Sequence, residues 1–170
     1  YASKRKNKAT SCKFESANFQ IHKALNRTQQ ERQKNMLSLD KVFDAQTVLK
    51  SIIRETNVVK TYGIAPDCDL YLKPENLQIT GSFKVRGSAY KISQLSAEEK
   101  AKGVIACSAG NHAQGVALAA TKNGIKSLIC LPDSAPISKV EATKGYGAEV
   151  CLVEGVYDDA YNKAIELKEK

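Results

Sequence analysis

Apolar residues in the second half of the chain form short runs that alternate with amphipathic stretches of eleven to fourteen residues. Short apolar runs bounded by Gly or Asn are typical of buried parallel strands, and apolar residues three or four apart are typical of helices. The pattern predicts strands at 103–107, 126–131 and 148–153, and helices at 111–122, 136–146 and 157–170. This alternation indicates an α/β fold with a doubly wound, open parallel sheet.

The first half of the chain carries weaker signals. Apolar spacing predicts helices at 39–53 and 83–95, and residues 69–73 form a short candidate strand. Ser96 and Glu99 have the spacing of a capping box, which predicts a further short helix. The apolar runs are far shorter than the roughly 20 residues that span a bilayer, so we expect no membrane partner.

The net charge of the 170-residue chain is +8, and most of it lies near the N-terminus. Residues 1–35 carry nine basic and two acidic side chains, whereas residues 36–170 carry 17 basic and 16 acidic ones. The body is nearly neutral, and we expect no nucleic-acid partner for it. Residues 1–35 show no sustained hydrophobic period and are predicted to be a disordered basic leader.

Three interpretations of this leader are open. It is an upstream or expression-derived segment with Met36 as the native start, an organellar transit peptide, or a nucleic-acid-binding tail. We expect a cytoplasmic protein, or an organellar one if the transit interpretation holds. The five cysteines are far apart and odd in number, which favours reduced, buried thiols over disulfides or a metal site.

A first candidate for chemistry is the lysine segment, residues 78–87, in which a Thr-Gly-Ser turn precedes a predicted helix. A helix N-terminus carries partial positive charge, which favours the uncharged amine that forms imines. Lys84 would lie in that first turn, and Phe83 beside it could cover an apolar ring. The alternative is an ordinary lysine on a surface helix.

A second candidate is the asparagine segment, residues 107–115, which follows a predicted strand and begins a predicted helix. Ligands of open α/β sheets collect at such strand ends. Gly110 would let a ligand approach backbone N–H groups that can hold a carboxylate, and Asn111 could bind a ring oxygen. The segment lacks dinucleotide-binding G-x-G-x-x-G spacing, and His112 is interpreted as positional. An imine-forming lysine, an aromatic neighbour and an anion-holding loop suit a pyridoxal phosphate (PLP) site.

Both segments resemble those of the serine/threonine dehydratase family. Residues 80–87 (TGSFKVRG) resemble the segment to which PLP is attached, and residues 108–115 (SAGNHAQG) resemble the asparagine loop of threonine dehydratases, or threonine ammonia-lyases. Supporting similarity lies at 71–76, 91–93, 138–140 and 147–150, and the resemblance covers residues 36–170. It implies an incomplete fold-type II PLP enzyme, similar to the tryptophan synthase β subunit.

The resemblance also implies residue roles. Lys84 would hold PLP through an imine and then remove the substrate Cα proton, Phe83 would pack on the pyridine ring, and Asn111 would bind the ring 3′-oxygen. The substrate carboxylate would be held by Ser108, Ala109, Gly110, Asn111 and His112. The implied reaction converts L-threonine to 2-oxobutanoate, or L-serine to pyruvate, with release of ammonia, as in isoleucine biosynthesis or threonine catabolism.

Ala109 distinguishes two branches of the family. Serine racemases carry a serine there, which delivers a proton to the opposite face of the substrate carbanion, so Ala109 favours elimination. A serine racemase or serine dehydratase-like enzyme, and a non-catalytic fragment of this fold, are the alternatives. Cysteine synthases differ in both segments, with Asp-Arg after the lysine and Thr where His112 stands.

The family binds the PLP phosphate through a run of glycines that these 170 residues lack. We therefore predict the N-terminal portion of such an enzyme, inactive alone and homo-oligomeric at full length. The predicted divisions are the leader at 1–35, first elements of a large domain at 36–77, a small domain at 78–155, and a return to the large domain at 156–170.

Overall fold

The computed structural model describes residues 36–169, so the predicted leader lies outside the described part of the chain. The chain divides after Val42, and residues 43–170 form one compact unit. Both candidate segments belong to this unit, and so does the architecture below except for the start of the helix at Leu39–Leu49.

Helix α1 is shorter than its hydrophobic pattern predicted. It spans Leu39–Leu49, whereas the apolar spacing continues to Ile53. The N–H groups of Ile52 and Ile53 both bond the Leu49 carbonyl, at 2.9 and 3.1 Å, so a turn replaces the last predicted helical turn. The two isoleucines still pack against the core, which explains why they continue the apolar period.

A small antiparallel pair precedes the lysine segment. Strand β1 spans Val59–Lys60 and strand β2 spans Tyr71–Leu72, followed by a 3₁₀ helix at Glu75–Leu77. The candidate strand at 69–73 is therefore reduced to two residues. Its partner β1 was not predicted, because two exposed residues give no alternation of apolar and polar positions.

Two helices follow directly. Helix α2 spans Lys84–Ser93 and helix α3 spans Ala97–Lys102. The predicted capping box of α3 is present: Glu99 N–H donates to Ser96 Oγ at 3.2 Å, and Ser96 N–H donates to Glu99 Oε2 at 2.7 Å. Each residue thus satisfies a backbone donor that the helix leaves unpaired.

Three parallel strands form the central sheet, in the order β3–β4–β5. They are β3 at Val104–Cys107, β4 at Ser127–Pro132 and β5 at Glu149–Val153. The register aligns Ala106 with Ile129, and Ile129 with Val150. The predicted α/β fold with a parallel sheet is confirmed.

Three further helices connect or follow these strands: α4 at Asn111–Lys122, α5 at Ile137–Gly145 and α6 at Tyr157–Lys168. One face of the sheet, with Ile129 and Leu131, packs in the main core with residues of α2, α4 and α5. The other face packs against Ala160 and Ala164 of α6. Both faces are covered by helices, as the doubly wound architecture requires.

Three cysteines align across the face that α6 covers. Cys107, Cys130 and Cys151 are register partners on adjacent strands, and their thiols are free. Burial, and next the neighbouring Cys151, raise the pKa of Cys130 to about 11. These three behave as small apolar residues, as the sequence indicated. Cys68 differs, because it is free but exposed.

Candidate active site

The lysine segment is a tight turn that leads directly into helix α2. Gly81 adopts a φ of +67°, and its N–H donates to the Gln78 carbonyl at 2.8 Å. Glycine suits this left-handed conformation because it carries no Cβ. The Ser82 hydroxyl then accepts the N–H of Lys84 at 3.3 Å, so the predicted imine-forming lysine is the first residue of α2.

Lys84 and Phe83 lie side by side at the surface. The Lys84 ammonium is 5.3 Å from the centroid of the Phe83 ring, within the range of a cation–π contact. The Phe83 side chain is 58% exposed, although it is a large apolar group. An exposed aromatic ring beside a reachable amine is the arrangement that the sequence predicted for holding a flat, apolar ring.

The asparagine segment begins at the carboxyl end of β3. Ser108 N–H donates to the Cys130 carbonyl at 3.2 Å, and Gly110 N–H donates to the Ser108 hydroxyl at 3.3 Å. Gly110 caps α4, and a Cβ at this position would meet no atom within 4 Å. Ala109 is half-buried and packs against the main core. The backbone at Gly110 is therefore open to an approaching ligand.

Asn111 contacts a residue to which the sequence assigned no role. Its side-chain Oδ1 accepts a 2.8 Å hydrogen bond from Lys139 Nζ, which comes from the first turn of α5. The only signal for Lys139 in the sequence was the family similarity at 138–140. The pKa of His112 is lowered, mainly because its ring is partly removed from water and also because the Lys84 ammonium is near.

A close contact between helices α2 and α4 brings the two segments together. A Cβ at Gly115 would lie 3.0 Å from Ser88 Oγ and 3.2 Å from the Lys84 carbonyl oxygen. A side chain at this position would require these neighbours to shift by a few tenths of an ångström, since most Cβ contacts are longer. The backbone of Lys84 thus lies one helical turn from Asn111.

Buried and half-buried side chains form hydrogen bonds that connect the lysine segment to the residues around it. Gln78 is 3% exposed, and its amide bonds both the N–H and the carbonyl of Arg54 at 2.7 Å. The Tyr146 hydroxyl donates to the Ile79 carbonyl at 2.9 Å. These contacts fix the turn that precedes Lys84.

An ion pair also connects α2 to the 3₁₀ helix. Arg86 donates to both carboxylate oxygens of Glu75 at 2.7 and 2.8 Å, and Thr56 Oγ1 donates to Glu75 Oε1 at 2.6 Å. The bonds from Arg86 are the main reason that the pKa of Glu75 falls from 4.5 to about 2. Lys73 in turn donates to the Thr56 carbonyl. The start of α2 is therefore fixed by charge as well as by packing.

The donor set of this region fits PLP. Within the described part of the chain, the Asn111 side chain accepts from Lys139 and forms no other hydrogen bond. Three buried polar atoms there lack a partner: Gln114 Nε2 and Ser88 Oγ lie on the two helices that meet at Gly115, and Ser127 Oγ lies on β4. An amine, an aromatic ring, a free amide donor and an open backbone at Gly110 match an aldehyde-bearing, anionic, aromatic cofactor.

The family comparison agrees with this geometry. Residues 49–170 match the protein-family model described as pyridoxal-phosphate dependent enzyme. The match covers most of the chain, so the chain belongs to this family, whose cofactor is PLP. The resemblance identified from the two segments is confirmed.

The relatives of this chain include threonine ammonia-lyases and serine racemases. The chain is 45% identical over 137 residues to L-threonine ammonia-lyase of Thermotoga maritima, a match that covers 79% of this chain and 34% of the relative. Among solved structures, it resembles threonine deaminase isoform 2 of Solanum lycopersicum, with a TM-score of 0.71, 34% identity and coverage of 77% of this chain and 39% of that one. Maize serine racemase gives a TM-score of 0.72 at 34% identity, covering 76% and 40%.

The chain thus spans about a third of the length of the curated relatives it matches. Within the described residues, no helix is both long and apolar enough to cross a membrane. The same part of the chain contains no group of three or more His, Cys, Asp or Glu side chains arranged to hold a metal ion.

Proposed function

We propose that this chain supplies the lysine and the carboxylate-binding loop of a PLP-dependent enzyme that dehydrates and deaminates L-threonine, and also L-serine. The observation that carries the proposal is the contact at Gly115, which sets the backbone of Lys84 against the first turns of the helix that begins at Asn111. The 45% identity to a threonine ammonia-lyase supports the same reaction.

The position of each site residue is compatible with one role in this reaction. Lys84 holds the cofactor aldehyde through its amine and moves the substrate Cα proton, while Phe83 covers one face of the ring. Bound PLP supplies the electron sink that makes this proton acidic. The Asn111 amide donates to the ring oxygen, and residues 108–112 bind the amino-acid carboxylate, largely through those backbone N–H groups that are not bonded within the protein.

A serine racemase is the second candidate, because maize serine racemase shares the fold at 34% identity. Ala109 argues against it, since its methyl group packs on the core and has no proton to deliver. We therefore expect elimination to 2-oxobutanoate or pyruvate, with little D-amino acid formed. Ala109→Ser should raise the ratio of D-serine to pyruvate.

The remaining sequence predictions are part of the same proposal. The division into parts of a large domain at 36–77 and 156–170 and a small domain at 78–155 follows the family pattern. A homo-oligomer, a cytoplasmic location and an amino-acid substrate belong to the same expectation. The chain by itself is expected to be inactive, because the glycine run that would hold the cofactor phosphate is not among its residues.

A labelling experiment tests the lysine on the chain itself. PLP is added, imines are reduced with borohydride, and peptide mass spectrometry compares Lys84 with Lys91, an exposed lysine on the same helix. We expect Lys84 to be labelled in clear excess over Lys91. Lys84→Arg keeps the charge and should remove only that label. Equal labelling of the two lysines would contradict the proposal.

A chimera tests the reaction. Residues 49–170 replace the matching stretch of the Thermotoga maritima enzyme, and 2-oxobutanoate formed from L-threonine is measured. We expect activity that Lys84→Ala lowers about a thousandfold, the contribution typical of a catalytic proton-transfer group that is also the nucleophile. A folded, PLP-loaded chimera without threonine deamination would support the non-catalytic alternative.

A further inference from the structure

We propose that Lys139 is a positioning residue that fixes the orientation of the Asn111 amide; this inference rests on the proposed function. The lysine reaches across from α5, 28 residues further along the chain, and donates to Asn111 Oδ1 at 2.8 Å. Neither the family motif in the asparagine segment nor the helix pattern pointed to this contact.

The chemistry of the two side chains selects one of two amide orientations. A terminal amide can rotate so that either its oxygen or its nitrogen faces a given neighbour, whereas a lysine ammonium only donates hydrogen bonds. Lys139 can therefore bond Oδ1 and not Nδ2. With Oδ1 occupied, the two N–H bonds of Asn111 are left to donate elsewhere, as an anionic ring oxygen requires.

The charge of Lys139 is not neutralised by a carboxylate. The salt bridges in the described part of the chain use Lys60, Lys144 and Lys163 on the basic side besides Arg86, and Lys139 is in none of them. Lys144 lies on the same helix but pairs with Glu141 at 3.0 Å. The positive charge of Lys139 is directed at a neutral amide, which it polarises and makes a stronger donor.

Helix α5 contacts both the lysine segment and the asparagine segment, so Lys139 is well placed to set their relative position. Lys139 from its first turn bonds Asn111, and Tyr146 at its C-terminal end bonds the Ile79 carbonyl just before the lysine turn. The same helix therefore sets the position of the amide relative to Lys84. Removing the lysine should disturb amide orientation while Tyr146 keeps the helix in place.

The first experiment measures the NMR signal of the Asn111 side-chain amide in the absence of cofactor. In the ¹⁵N-labelled 170-residue chain, the Asn111 side-chain signal is assigned by its loss in Asn111→Asp. We expect Lys139→Met to shift this signal, Lys139→Arg to keep it near its original position, and Lys144→Met to leave it unchanged. An unchanged signal in Lys139→Met would overturn the proposal.

The second arm uses PLP as the probe. The ratio of borohydride-trapped label at Lys84 to that at Lys91 should fall about fivefold in Lys139→Met, the effect of losing one hydrogen bond to the bound ring, and recover in Lys139→Arg. A Lys84 excess that is equal in the wild type and Lys139→Met would overturn this inference and leave the proposed function intact. No Lys84 excess in the wild type would contradict the proposed function, and this inference with it.

Discussion

The lysine segment is bonded to the rest of the molecule through buried and half-buried side chains, whereas the asparagine segment is held mainly through its own backbone. Beneath the first, Gln78 bonds the backbone of Arg54, and Arg86 pairs with Glu75. The second has the Ser108 N–H bond to Cys130, the Gly110 N–H bond to the Ser108 hydroxyl, and one surface contact from Lys139.

This difference matches the different demands on the two segments. A lysine that bonds covalently to a cofactor and moves a proton must return to one position, so a rigid support serves it. A loop that binds and releases a carboxylate needs open space beside its backbone, which Gly110 provides. The comparison predicts that removing the side-chain contacts of the lysine segment affects folding stability most, and that removing the Ser108 hydroxyl of the asparagine segment affects it least.

The largest effect is expected for Gln78→Ala. The substitution removes an amide that bonds the Arg54 N–H, the Arg54 carbonyl and the Ile79 N–H. These three hydrogen bonds are part-buried and contribute about 1 kcal/mol each, so we expect a loss of about 3 kcal/mol in the free energy of unfolding by urea titration. Gln94→Ala is the control, since the Gln94 side chain is exposed and its amide donates to the neighbouring Ser93 hydroxyl. Equal losses for the two variants would show that the support under the lysine segment is weak.

Glu75→Gln is expected to have the next largest effect, about 2 kcal/mol, because it leaves the half-buried Arg86 without its counter-charge. The exposed pair at Glu141 provides a matched control, and Glu141→Gln should cost less than about 0.5 kcal/mol. Urea unfolding at neutral pH measures both. A Glu75 variant as stable as the Glu141 variant would mean that the ion pair does not fix α2.

The same carboxylate gives a pH dependence of known sign. The folded-state pKa of Glu75 is about 2, below its ordinary value of 4.5. Its stabilisation is therefore present above about pH 4.5 and is lost as the pH falls towards 2. Between these values the melting temperature of Glu75→Gln should fall less steeply than that of the wild type. Parallel curves would argue against the low pKa.

Two glycine-to-alanine substitutions test the contact between the two segments. Gly115→Ala would place a Cβ 3.0 Å from Ser88 Oγ and 3.2 Å from the Lys84 backbone, and we expect a loss of about 1–2 kcal/mol. Gly87 lies in α2, where a Cβ would meet no atom within 4 Å. Gly87→Ala should instead raise stability by about 0.5–1 kcal/mol, because alanine is the better helix former. Thermal unfolding distinguishes the loss of stability expected for Gly115→Ala from the gain expected for Gly87→Ala. A stabilised Gly115→Ala would contradict the close contact.

The strands, the longer helices and both candidate segments were predictable because their signals are local. The helix at 111–122 was predicted with its observed ends, since Gly110 precedes it and Asn123-Gly124 follows it. Helix α1 was predicted too long because Ile52 and Ile53 continue the apolar period while packing from a turn. A hydrophobic period reports burial and not backbone conformation.

The contacts that support the site could not be predicted in the same way. Gln78 bonds a residue 24 positions away, and Tyr146 bonds one 67 positions away. Such pairs depend on how helices pack in three dimensions, and no spacing in the sequence encodes them. Polar residues in short irregular stretches, such as Glu75 and Thr56, give no periodic signal either, although Glu75 accepts hydrogen bonds from Arg86 in the first turn of α2.

The smallest stability effect is expected in the asparagine segment itself. Ser108→Ala removes one 3.3 Å hydrogen bond from the Gly110 N–H in a half-buried position. Water can reach this open backbone and replace the hydroxyl, so we expect a loss of only about 0.5 kcal/mol in urea unfolding. The same variant should weaken carboxylate binding in the active chimera, seen as a higher KM for L-threonine, because Gly110 loses the group that orients it. A loss as large as that of Gln78→Ala would show that the two segments are held equally tightly and would remove the contrast between them.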